Sequence, residues 1–138
     1  MNQYQKGIIH VTNNGELFAI IIKSEFNKEG IHFFTPNEFS QQLGYMKRPK
    51  GYKIKPHLHN KIPRQINLTQ EVLFIKSGKI KVNFYTKDFH FFDSQVVNKG
   101  DILLLASGGH GFEILDEAEI IEVKQGPYSG DKDKTHFE

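Results

Sequence analysis

Apolar and polar side chains alternate with a period of two along most of this chain, the signature of half-buried strands whose successive side chains point to opposite faces. Read this way, strands are expected at 8–11, 17–23, 31–34, 42–48, 52–58, 71–76, 79–86, 89–97, 101–105, 111–115 and 119–124, separated by Asn-Gly, Lys-Gly and Ser-Gly punctuation. One helical signal interrupts the series. Thr35-Pro36-Asn37-Glu38 combines capping-box spacing with proline at the first helical position, which predicts a short turn of helix over 36–41. The fold class is therefore all-β. Many short strands at this spacing favour a sandwich or barrel, and a double-sheet jelly roll is one way of limiting exposed edges.

The 138 residues are close to the usual size of one domain and can bury a core without disulfides. The expected layout is a single domain over 1–138, with a barrel core at about 44–124, amino-terminal strands within 1–43 and a charged, mobile tail at 129–138. There is no cysteine, which excludes a disulfide framework, a cysteine zinc site and a cysteine nucleophile. The opening residues lack the apolar core of a signal peptide, and no apolar run reaches membrane-spanning length, so a cytoplasmic protein without membrane contact is expected. The aromatic run Phe89-His90-Phe91-Phe92 reads as core, with Phe89 and Phe91 on one face.

Charge changes the picture locally. The net charge is only +2, yet Lys47, Arg48, Lys50, Lys53, Lys55, Lys61 and Arg64 fall within 39–70, where no acidic residue occurs. The same segment holds His57 and His59. On a strand an H-x-H pair turns both imidazoles to one face, and Lys53 and Lys55 share that parity. A cationic rim around two imidazoles would attract a phosphate, pyrophosphate or carboxylate, and Lys53, Lys55 and Arg64 are the candidate substrate contacts. Nucleic acid is a poor partner for so small an overall charge without a reading motif.

Two motifs give the histidines a context. The first runs Gly51, five residues, His57-x-His59, a spacer, then Glu71, six residues and Gly78; the second runs Gly100-Asp101, the apolar residues Ile102 to Leu105, then His110-Gly-Phe112. Together they resemble the two signature motifs of the cupin superfamily over roughly residues 44–124. The chain departs from that pattern in the eleven-residue spacer before Glu71, in Ala106 where proline is usual, and in a His110 that arrives one residue early. The resemblance implies a small jelly-roll barrel, with His57, His59, Glu71 and His110 ligating one divalent transition metal and glycines 51, 78 and 100 at turns. Imidazole and carboxylate donors suit Mn, Fe, Co, Ni, Cu or Zn and leave coordination positions for water and substrate.

Three functions follow as expectations. In the first, the metal centre acts on a small anionic molecule, such as an activated sugar of surface-polysaccharide synthesis. In the second, the chain is similar to metal-independent sugar-nucleotide ketoisomerases of the same barrel, with His57 and His59 as catalytic acid and base. In the third, it binds a small ligand and catalyses nothing. Tyr128, after the Gly126-Pro127 turn, is expected to fold over the cavity mouth, and a homodimer by sheet pairing is expected around 8–11.

Overall fold

In the computed structural model, which describes residues 3–137, the chain is almost entirely β-structure. The strands are β1 (Gln3–Gln5), β2 (Ile8–Asn13), β3 (Glu16–Ile22), β4 (Gly30–Phe33), β5 (Gly44–Lys47), β6 (Glu71–Tyr85), β7 (Phe91–Asn98), β8 (Ile102–Leu105) and β9 (Gly109–Lys124). Seven of them form one antiparallel sheet in the order β1-β2-β3-β8-β6-β7, with β9 on the other side of β6. That sheet curls into a half-barrel. β4 and β5 make a separate two-stranded sheet.

The unbroken apolar runs Phe18–Ile22 and Ile102–Leu105 explain why β3 and β8 sit at the centre, since a strand covered on both faces needs no polar parity. Ala19, Ile21, Leu103 and Leu105 face one core with Leu73, Ile75, Ile80, Val82 and Phe84 of β6. Ile20, Ile22 and Leu104 face a second core with Ile8, Phe26 and Leu43, against which Phe34, Phe39 and Tyr45 pack from around the small sheet. Asp101 ties the region together. Almost wholly buried, it accepts the Nζ of Lys23 at 2.7 Å and the backbone N–H groups of Ser24 and Asn98 at 2.8 and 2.7 Å.

Four expectations need correction. Residues 52–58 form no strand: they are an exposed, irregular stretch in which Ile54 and Leu58 remain 56% and 78% accessible. Pro49, Pro56 and Pro63 remove ladder donors, and lysines at 53 and 55 repel along one face, so an extended conformation lacks the partner that would make it a strand. The helix expected over 36–41 is a single turn closed by Phe39 N–H to Pro36 C=O. There the Gln42 side-chain amide donates to the carbonyls of Pro36, Asn37 and Phe39, and Thr35 Oγ1 accepts from Leu43 N–H, so local side chains take the bonds a helix would have made. Phe89 and Phe91 are more than half exposed; Phe92 is the inward ring, 4.7 Å from Phe18. Finally, β2 is no edge over Ile8–His10, because β1 pairs with it there.

Two pairs of expected strands merge. 71–76 and 79–86 become the single β6, and 111–115 and 119–124 become β9. The Ser-Gly at 77–78 is a bulge rather than a chain reversal: the register shifts at three places around it, and Gly78 has φ +91° with the Glu117 carbonyl where a Cβ would sit. Among the described residues the helical structure is a 3-10 turn, Gly130–Asp133, and no helix is long and apolar enough to cross a membrane.

Candidate functional site

Register alone would keep Glu71 and His110 apart. Glu71 pairs with Lys124 and His110 with Phe84, so along β6 they are thirteen positions from each other, about 43 Å on a straight strand. Instead His110 Nε2 lies 3.4 Å from Glu71 Oε1. Two features close that gap. The bulges around Gly78 bend β6 and β9 together, and the short 106–108 connection carries the chain from Leu105, which pairs with Glu71, directly to His110. Strand parity does the rest: Glu71 shares a face with Leu73 and Ile75, and His110 shares one with Phe84, so both point to the concave side that holds the first core.

The pair lies in a cleft of about 440 Å³ lined also by Thr69, Ser107, Phe112, Glu122, Lys124 and the tail residues Lys134, His136 and Phe137. The hydrogen bond from His110 holds the Glu71 carboxyl down to about 2, against a burial effect acting in the other direction, and a hydrogen bond from Glu122 adds to the lowering. Glu122 is displaced upwards, first because its proton bonds to Glu71 and then by burial and the repulsion of the Glu71 charge. Lys124 is raised by the neighbouring Glu122 carboxylate, 3.4 Å away. Two adjacent carboxyls are thus pushed apart in acidity, one fixed as the anion and one inclined to keep its proton.

No family model, curated protein or solved structure matches this chain.

Of the residues singled out from the sequence, the structure brings together Glu71 and His110 and not the rest. His57 and His59 lie on the exposed stretch, their ring centroids 5.3 Å apart, with His57 Nδ1 2.8 Å from the Lys55 carbonyl oxygen. Lys53, Lys55 and Arg64 are exposed on the same stretch. Tyr128 is 89% accessible and lines a smaller pocket of about 170 Å³ that adjoins the cleft, the two sharing Leu68, Thr69, Lys124 and Asp133. Among the described residues no three His, Asp or Glu side chains stand together as a set able to hold a metal. The four-residue ligand set is therefore divided into Glu71 with His110 and His57 with His59, because the stretch expected as a strand has no sheet neighbour to carry its histidines inward.

Sequence reasoning did not single out Glu122, Lys124, Lys134 or His136. The signal for the first two was present: on β9, positions 120, 122 and 124 share one parity, and an acid and a base on it opposite Leu73 and Glu71 mark a polar end to an apolar wall. For Lys134 and His136 no periodicity exists to read.

Proposed function

We propose that this chain is a cupin-type enzyme that moves a proton on a small anionic molecule bound in the cleft, an activated sugar being the substrate class. The observation that carries this reading is the meeting of Glu71 and His110, one from each motif, inside a cleft large enough for a small ligand. With Nε2 turned to Glu71, His110 has Nδ1 left to face the substrate as the proton acceptor. Glu122 is the proton donor, and Glu71 is the fixed anion that orients both. Lys124 contributes positive charge for a substrate anion. In this reading the acid–base work assigned to His57 and His59 passes to His110 and Glu122. The test is exchange chemistry: nucleotide-linked keto sugars incubated with the protein in deuterium oxide should gain deuterium next to the carbonyl. His110→Gln and Glu122→Gln should each slow this by about a hundredfold or more. A full panel without exchange would refute the proposal.

One observation favours a second reading. The edge of β9 away from β6 has no partner among the described residues, and β9 carries Glu113, Asp116, Glu117, Glu119 and Glu122, whereas the stretch 48–64, which joins no strand, carries the six bases Arg48, Lys50, Lys53, Lys55, Lys61 and Arg64. If 52–58 adds to that edge, the barrel of the resemblance is completed and His57 and His59 approach His110. The donor chemistry of Glu71 and His110 suits a divalent transition metal, and His57 and His59 would supply the remaining two ligands. Such an ion would supply Lewis-acid polarisation of the substrate. This reading predicts close to one ion per chain on elemental analysis, and protection of Lys53, Lys55 and Lys61 from trypsin when Zn, Ni or Mn is added. Unchanged cleavage with saturating metal would remove it.

A further inference from the structure

The cleft has a wall that does not belong to the sheet. After the last strand the chain makes the 3-10 turn Gly130–Asp133 and runs back past the site, so that Lys134, Thr135, His136 and Phe137 line the cleft holding Glu71 and His110. Thr69 Oγ1 donates to Asp133 at 3.0 Å, and beyond that turn the segment is held by aromatic contacts. The Phe137 ring stacks on Phe89, centroids 4.5 Å apart and planes 27° from parallel, and stands edge-on to Tyr85 at 5.2 Å.

The receiving surface is built for that ring at some cost. Phe89 occupies the left-handed region at φ +70°, in a hairpin turn where glycine or asparagine would rest without strain. Nothing in the sheet core rewards a phenylalanine there, since the side chain is half exposed and its close ring partner is Phe137. Gly109 meets the same ring from below: a Cβ at that position would come within 2.8 Å of Phe137 Cζ. A strained aromatic, a tyrosine and a bare backbone therefore converge on one terminal side chain. The segment between the turn and the latch carries Lys134 and His136, two groups able to hold an anion, and is otherwise exposed.

We propose that residues 130–137 are a movable wall of the cleft, latched by Phe137 between Tyr85 and Phe89, which brings Lys134 and His136 to an anionic substrate. The contact role rests on the cleft being the site proposed above; the latch does not. Opening widens the way to Glu71 and His110, and closure completes the ring of positive groups with Lys124.

The latch can be read in the full-length protein without ligand, by limited trypsin cleavage after Lys132 and Lys134 followed by mass spectrometry. Phe137→Ala and Phe89→Gly should each speed cleavage at these sites by about tenfold, the scale of losing a stacked pair. Because Phe89→Gly also relieves a strained backbone, overall unfolding is not its expected result. Cleavage at the wild-type rate in both variants would overturn the latch. The chain has no tryptophan, so Phe137→Trp gives a single reporter whose fluorescence should be shielded from acrylamide; free quenching would overturn the latch equally. For the contacts, inorganic pyrophosphate is the probe. Its affinity should fall about tenfold in Phe137→Ala and in the Lys134→Ala, His136→Ala double variant. Equal affinity in all three proteins would overturn the assignment of Lys134 and His136. Absence of binding to a wild type with a normal latch would sink that assignment together with the anionic-substrate reading, leaving the latch supported by its cleavage data.

Discussion

Asp101 shows how one side chain can hold three segments. Its two carboxylate oxygens take an ammonium and two backbone N–H groups while only 1% of the residue is accessible, so removing it takes the ion-pair partner from Lys23 and the acceptor from two part-buried N–H groups at once. Asp101→Ala should cost about 3–5 kcal/mol of stability, measured by urea unfolding. Glu71 and Glu122 make opposite contributions with pH. Glu71 is lowered from 4.5 to about 2, so its share of the stability is present above pH 4.5 and is lost as the pH falls towards 2. Glu122 is raised, so it favours the folded state below its unfolded value and loses that contribution as the pH rises through its folded one. Glu71→Gln should therefore flatten the acid limb of a plot of unfolding free energy against pH between 4.5 and 2, whereas Glu122→Gln should raise the melting temperature at pH 7 and leave it nearly unchanged at pH 4. A parallel acid limb in Glu71→Gln would show that the His110 contact is not made in solution.

Elements place these residues, and here the sequence was only partly legible. β3 and β8 could be read from their apolar runs, and the structure adds why both parities are apolar: each face meets a different core. Leu103→Ala and Leu104→Ala, on opposite faces, should each cost about 2–5 kcal/mol, whereas an ordinary surface-facing neighbour would cost little. The Ser77-Gly78 pair was legible as an interruption but not as a bulge, because the choice between reversal and bulge is made by what lies opposite. The Glu117 carbonyl lies there. Gly78→Ala should destabilise by at least about 2 kcal/mol and straighten β6, which in turn should separate Glu71 from His110. That separation is visible as a return of the Glu71 titration, followed by carboxyl NMR, towards 4.5. The stretch 52–58 had the alternation of a strand without a neighbour to pair with, and alternation by itself supplies no ladder bonds.

At the scale of the whole molecule, the two cores share β3 and β8, so neither can be lost without exposing the other. Thermal unfolding followed by far-ultraviolet and near-ultraviolet circular dichroism should give coincident transitions; separate midpoints would mean that the small β4–β5 sheet melts on its own. The curl of the large sheet is also what makes a site, since it turns a thirteen-residue separation along β6 into a contact. Composition, the period-two pattern and the glycine punctuation determined that the chain is all-β, and the resemblance of its two motifs singled out Glu71 and His110. These are local properties of side-chain parity and backbone freedom. Only the tertiary structure decided that Glu71 and His110 meet while His57 and His59 stay outside, that Glu122 joins them, and that a tail with no periodicity ends in an aromatic latch. Those outcomes depend on bulge curvature and on which surface each strand finds as a partner, and neither is encoded in the spacing of residues along one strand.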